Sequence, residues 1–449
     1  MDSAPARRQG VAGSSLADVN RDILAVLGRP GRLYWSLLVL SVSAVVFGAV
    51  AWYHQIDVGM GVAGISHPVM WGVYITNFVF WVGIAHSGTL LSAVLFLMRV
   101  KWRTAIFRSA EAMTLLAVMT AGLYPLIHLG RVWKFYWLFP LPNQRQLWPN
   151  FQSPLMWDVF AVVTYVTVSA VFLYVGLLPD IAAARDVSQG WRRRFYGLLA
   201  LGWEGTHRQW RHYGPTYLFL AALATPLVVS VHSIVSWDFA MSIVPGWHST
   251  IFAPYFVAGA IHSGLAMVLT LLIPVRRAFK LQRYITRDHF ESIAKLIILT
   301  GFIVGYAYLT EFFIAWYSGN TYERAAFVFR ALGDFAPMFW AMVLLNSLLP
   351  LAFLARPVRR NLTALFLIGL LVNVGMWFER FVIIAGSLAH EYLPYAWGSY
   401  KLTWVEYGIS IGSLGWFLTG YLIFIKLFPA VSITEVKEQD VELAREAAQ

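Results

Sequence analysis

Ten stretches of this chain are apolar over roughly 20 residues or more, the length that carries an α-helix across the hydrocarbon core of a bilayer. They lie near 33–53, 68–98, 109–130, 153–178, 214–236, 251–273, 290–316, 334–354, 361–384 and 404–428. In lipid, backbone N–H and C=O groups must be satisfied within the segment, so such runs predict helices. The expected fold class is an all-α polytopic membrane protein with about ten transmembrane helices. Composition agrees: 13% of residues are charged and 59% are hydrophobic. That is about half the charge of an ordinary soluble chain, which excludes a soluble globular enzyme and a disordered protein. The sequence holds no cysteine, so disulfides, thiol chemistry and cysteine-ligated iron–sulfur clusters are excluded within it. No signal peptide is visible, because the first 32 residues are polar with five arginines and the first span exceeds a cleavable apolar core.

The positive charges predict an orientation. Segments on the N-terminal side of the membrane hold 26 Lys and Arg, and the opposite segments hold six: Arg131, Lys134, Arg145, Arg324, Arg330 and Lys401. By the positive-inside rule both termini are expected in the cytoplasm. Basic residues spread over short loops do not form a nucleic-acid footprint, so no nucleic-acid partner is expected. The basic 185–211 loop suits anionic lipid heads instead. Phe135–Phe151 reads as an aromatic, proline-bearing interfacial lid. The tail 429–449 alternates charges with small apolar residues, and no structure is assigned to it.

An internal repeat organises the middle of the chain. Gly83-Ile-Ala-His86-Ser87-Gly88 matches Gly259-Ala-Ile-His262-Ser263-Gly264, and Phe80 matches Phe256 at the same offset of 176. Farther on, at an offset of 183, Trp133 meets Trp316, Pro154 meets Pro337 and Trp157 meets Trp340. Spans 2–5 and 6–9 are thus expected as duplicated four-helix bundles in parallel orientation, with one added helix at each end. The expected divisions are a cytoplasmic tail (1–32), a first span and outer loop (33–67), a first bundle (68–240), a second bundle (241–386), an outer loop and last span (387–428), and a cytoplasmic tail (429–449).

Ionisable side chains at bilayer depth cost ~2.5–3.5 kcal/mol on insertion scales, so each is a functional candidate. His86 and His262 fall near mid-membrane, and Glu111 falls near the cytoplasmic end of span 3. His128 and Asp158 fall near the outer surface on consecutive helices, and His232, Glu311, Glu379 and Glu406 lie toward outer ends. His128 and Asp158 suit the acceptance of two hydroxyl protons from a quinol; an interhelical hydrogen bond or ion pair is the competing explanation. For His86 and His262, Gly/Ser-mediated helix packing competes with proton relay. Glu111 reads as interfacial or as the mouth of a proton path, Arg131 as snorkelling outward, and Glu379-Arg380 as a structural ion pair. Haem is not expected, since Pro254 interrupts the best-spaced histidines, His248 and His262. No zinc spacing, Walker loop or GxGxxG element is present.

Several of these runs carry a resemblance. Trp71-Gly72, Tyr74, Phe80-Trp81-Val82-Gly83, Leu-Ile-His128-Leu-Gly-Arg131 and Pro149-Asn-Phe-Gln-Ser-Pro-Leu-Met-Trp-Asp158, with the duplicated bundles, resemble the NrfD/polysulfide reductase membrane-subunit family. Within it, the chain is most similar to quinol-oxidising C subunits of alternative complex III. The resemblance implies a multi-pass subunit of the bacterial cytoplasmic membrane, in a respiratory or photosynthetic chain, without haem, iron–sulfur cluster or metal of its own. It would oxidise menaquinol near the periplasmic face and pass electrons to an iron–sulfur partner and on to multihaem cytochrome c subunits. A second membrane subunit of the same family would accompany it, together with lipids. His128 and Asp158 match the family's catalytic positions, and Arg131, Trp71 and Tyr74 would complete the quinone site. A weaker proton path would use His86, Glu111, His262 and Glu311. In the second repeat Glu311 stands at the position of His128 and Ala341 at that of Asp158, so the same site is not repeated. The alternatives are the quinone-reactive anchor of a molybdenum reductase, a proton-coupled transporter, and a scaffold whose polar groups serve packing alone.

Overall fold

The computed structural model describes residues 16–139 and 152–448. Ten helices are long and apolar enough to cross a membrane: α2 (Arg32–Val58), α3 (Val73–Leu97), α4 (Phe107–His128), α5 (Pro154–Val187), α7 (His207–Ala240), α8 (Phe252–Ala278), α9 (Arg287–Tyr317), α11 (Ala336–Leu354), α12 (Leu362–Gly386) and α13 (Trp404–Leu427). Around them lie α1 (Leu16–Leu24), α6 (Gly190–Leu199), α10 (Thr321–Leu332) and α14 (Ile433–Ala448). No β-strand element occurs among the described residues. All ten expected spans are present, and several run past the apolar stretch that announced them. The helix of span 5, for instance, begins at His207 behind a Thr206/Gln209 capping box. Caps of this kind satisfy the first orphan N–H groups and extend a helix beyond its apolar run.

Two helices form the centre. Four-fifths of the apolar window of α3 (83%) and of α8 (78%) is buried, against 11% for α2. The pair packs through the repeated His-Ser-Gly segments: a Cβ on Gly264 would stand 2.1 Å from Ser87 Oγ, and one on Gly88 would stand 2.0 Å from Thr114 Oγ1 of α4. Small residues let helix backbones approach where lipid offers no hydrophobic drive. The helix pairings then follow the same order in both halves. α3 packs on α4, α5 on α7, α8 on α9 and α11 on α12, while α7 also reaches α8 and α12 reaches α3. The peripheral α2 is held against α13, where a Cβ on Gly48 would meet Gly412 Cα at 2.5 Å.

The termini depart from expectation. The C-terminal tail, to which the sequence assigned no structure, forms α14, and the polar N-terminal tail contains α1. Both dock by a few apolar residues: Val431, Ile433 and Val436 at one end of the chain, Val19 and Ile23 at the other, are buried. Asp180 of α5 accepts a hydrogen bond from Ile433 N–H at 3.1 Å, a negative group at the helix start. Arg103 reaches Glu435 at 2.7 Å. Burial raises the Glu435 carboxyl above its usual range and Arg103 opposes that shift. The partners come from 250 or more residues away, which is why charge alternation in the tail did not reveal the helix.

Arg103→Met should release α14. Limited trypsin digestion in detergent should cut at Lys437 faster in the variant than in the wild type; equal protection would reject the ion pair as the clasp.

Candidate functional site

The sequence-expected residues fall into three levels along the helices. At one end, α4 finishes at His128, whose ring is half-buried and whose Nδ1 has no partner among the described residues. Pro154 opens α5, so Asp158 sits in its first turns. Its carboxyl faces Asp238, in the last turn of α7, within hydrogen-bonding reach. Each aspartate keeps a buried Oδ1 without a partner among the described residues. No hydrogen bond or ion pair joins His128 to Asp158 among the described residues, so the direct ion pair weighed from the sequence is not formed. Asp238 was missed, although a lone acid in an apolar run was a signal available in the sequence.

Trp71 packs its indole on Phe239 (6.0 Å) and Trp247 (5.7 Å). Tyr74 is fully buried and donates to Gln55 Oε1. Gln55 Nε2 in turn donates to the Ile127 carbonyl at 2.9 Å. Tyr74 therefore braces the backbone next to His128 rather than opening onto the site. Arg131 is exposed at the start of a 3₁₀ turn, Val132–Leu138. Of the expected lid Phe135–Phe151, residues 140–151 lie outside the described residues.

At the middle level, His86 Nδ1 bonds the Val82 carbonyl of its own helix at 2.6 Å, and its Nε2 has no partner among the described residues. Its ring lies 4.9 Å from that of His232 and 5.1 Å from Tyr165. His232, expected toward the helix end, thus stands level with His86, and neither of its ring nitrogens is partnered among the described residues. On the other half, His262 Nδ1 pairs with Thr300 Oγ1 at 2.8 Å. Glu379 and Arg380 form the expected ion pair at 2.7 Å. Tyr308 donates to Glu379 and accepts from Asn346 Nδ2. Glu311 faces Arg330 at 3.9 Å, whose guanidinium also binds the Gly246 carbonyl (2.7 Å) and Ser387 (2.5 Å). Burial lowers the Arg330 pKa while Glu311 opposes that. Glu406, an acid at bilayer depth by sequence, proves to be a cap: it closes a capping box with Thr403 and accepts from Gly64 N–H and Tyr400.

At the far end, Glu111 lies near the start of α4 and is enclosed by protein. It is 4% exposed and bonds Arg108 at 2.9 Å and Tyr217 at 3.1 Å. Arg108 also reaches Asp180 at 3.3 Å and the Gly176 carbonyl at 2.7 Å. The four residues expected along a proton path are therefore distributed over separate clusters: Glu111 with Arg108, His86 with His232, His262 with Thr300, and Glu311 with Arg330. No hydrogen bond links His86 to Glu111 among the described residues. None of the described His, Asp and Glu side chains gather in a group of three or more suited to a metal ion.

The fold and these clusters define a polytopic helical membrane protein carrying ionisable groups at several depths. Residues 61–390 match the family model described as polysulphide reductase, NrfD, and the chain belongs to that family of membrane subunits. It is 30% identical over 366 residues to a putative dimethyl sulfoxide reductase membrane subunit from Halobacterium salinarum, covering 80% of this chain and 78% of the relative. It is 23% identical to a selenate reductase subunit from Mesobacillus selenatarsenatis, covering 89% and 94%. An Hdr-like menaquinol oxidoreductase integral membrane subunit from Archaeoglobus fulgidus is also 23% identical, with 80% and 82% covered.

Breaking a buried ion pair costs about 3–5 kcal/mol because one charge is left alone. Arg108→Met, which strands Glu111 and Asp180, should lower the thermal unfolding midpoint of the purified protein. Adding Glu111→Gln should recover part of the loss. An unchanged midpoint in the single variant would show that this cluster does not stabilise the fold.

Proposed function

We propose that this chain is the quinol-oxidising membrane subunit of a multisubunit oxidoreductase in the bacterial cytoplasmic membrane. The observation that carries this reading is the facing pair of Asp158 and Asp238, each with a buried oxygen unpartnered among the described residues, at the same end of the helices as the unpartnered ring nitrogen of His128. Oxidising a quinol removes two electrons and two protons. His128 Nδ1 is a ready acceptor for the first hydroxyl proton, and the carboxyl pair can take the second and hand it on. Trp71 supplies a flat apolar wall for a quinone ring, and Arg131 stands at the mouth. Tyr74 acts through Gln55 to hold the end of α4 in place. The substrate is menaquinol, in keeping with the Archaeoglobus relative, a menaquinol oxidoreductase subunit.

The electrons must leave through another protein, since the sequence has no cysteine for a cluster of its own. An iron–sulfur subunit docked at the His128 end is the proposed recipient, followed by multihaem cytochrome c subunits. This places the His128 end at the periplasm and both termini in the cytoplasm, as the charge distribution expects. A second membrane subunit of the family is a proposed neighbour, and the midplane histidines are the proposed route for proton translocation. A second partner set, a molybdenum reductase, is favoured by the names of the dimethyl sulfoxide and selenate reductase relatives. The metal and haem content of the complex purified through this chain separates the two.

Positioned acid–base groups contribute typically ~10²–10⁴-fold. Asp158→Asn and Asp238→Asn should each slow menaquinol oxidation by roughly 10²-fold or more while subunit composition stays intact. Undiminished turnover in both would remove the carboxyl pair from the chemistry. A reporter inserted at Asn143 should be active only on the periplasmic side, and a cytoplasmic signal would reverse the orientation.

A further inference from the structure

A groove between α9 and α11 is left unused by this chemistry. It encloses 670 Å³, within the ~300–1,000 Å³ typical of small-molecule pockets. On α9 it runs from Gly301 to Phe312, with Trp340 and Val343 on the opposite wall. The glycines create it. Without side chains at Gly301 and Gly305, the π-helical turn Leu344–Leu348 of α11 closes on α9: a Cβ on Gly305 would meet Ser347 Oγ at 3.1 Å, and one on Gly301 would meet the Asn346 carbonyl at 3.2 Å. The two helices are thus pinned at their inner contact and leave a trough on the outer side. Leu309 (74% exposed) and Leu348 (54%) form its rim, so no part of the described chain covers it and it faces hydrocarbon.

Its depth selects the occupant. The eleven helical steps from Gly301 to Phe312 rise about 16 Å at ~1.5 Å per residue, half of a hydrocarbon core of ~30 Å. Gly301 lies near the middle of α9, so the trough runs through a single leaflet, from the midplane toward the Tyr317 end. A partner helix would need a seat of the full core thickness. A quinone head would need a free polar group at the floor. The Tyr308 hydroxyl there is already committed to Glu379 and Asn346, and Ser347 Oγ, though without a partner among the described residues, is buried against Gly305 and closed to a ligand. Glu311 turns instead to Arg330 and to a separate 200 Å³ pocket beside His248. The sequence offset of 183 that pairs Trp157 with Trp340 puts this groove where the first half has its proton-accepting groups. Here Glu311 has turned away and Ala341 carries no acid.

We propose that this groove is a lipid site seating one acyl chain of a phospholipid from the leaflet at the Tyr317 end. The proposal does not depend on the quinol reading, because it requires only that the chain be in a membrane. Native mass spectrometry of the purified complex in detergent tests it. The wild type should retain one phospholipid per chain that Val343→Trp loses, while Leu370→Trp, on the exposed face of α12, retains it. Equal retention in all three proteins, no retained phospholipid in the wild type, or menaquinone in its place would overturn the assignment. A wild-type measurement guards against misfolding of the variant. After reconstitution with a phosphatidylcholine bearing a diazirine in its acyl chain, detergent washing and photolysis, adducts should map to 302–312 or 339–351. Adducts found only outside these stretches would also overturn it.

Discussion

A membrane interior offers helices no hydrophobic reason to associate, so the close contact of α3 with α8 has to be made by shape. Gly264 admits Ser87, and Gly88 admits Thr114 and the backbone of α4; any larger residue at these points would hold the helices apart. Dispersion between tightly fitted backbones then does what water exclusion does in a soluble core. Because the contact buries both central helices almost completely, the histidines beside those glycines, His86 and His262, are enclosed as well. The polar interior of the protein is thus a consequence of its steric centre.

Around that centre the charged groups have been sorted by how they are compensated. At the Glu111 end the ions are closed into pairs and triads: Arg108 with Glu111 and Asp180, and Arg103 with Glu435. In the second half, Glu379–Arg380 and Glu311–Arg330 do the same. At the His128 end, by contrast, an acid faces an acid, and His128 Nδ1 at that end has no partner among the described residues. Compensated ions suit structure, since a buried pair resists change. An uncompensated carboxyl pair suits proton exchange, and this contrast supports the proposal that the His128 end is the reactive one.

Much of this was legible in the chain. The repeated His-Ser-Gly segments marked the two central helices, and the glycines perform the packing role the spacing suggested. Glu379-Arg380 formed its adjacent pair. What escaped were partnerships between distant residues. Asp238 stood as a lone acid in an apolar run, but its meaning comes from Asp158, eighty positions away. Glu111 read as an acid at a helix start, and its enclosure with Arg108 and Asp180 depends on a neighbouring helix. Glu406 read as an intramembrane acid and is a helix cap. His232 was placed too near the helix end because α7 runs on to Ala240, past the apolar stretch that ended near 236.

By itself, then, the sequence determined that the chain crosses a membrane about ten times, that its helices are long and apolar, and that few ionisable groups lie within them. Those are properties of single segments, set by length and by the need to satisfy every backbone group inside lipid. Only the tertiary structure decided which buried ions neutralise each other and which are left facing a like charge. That depends on helix rotation and depth, which a shift of one residue, about 100° around an α-helix, is enough to change.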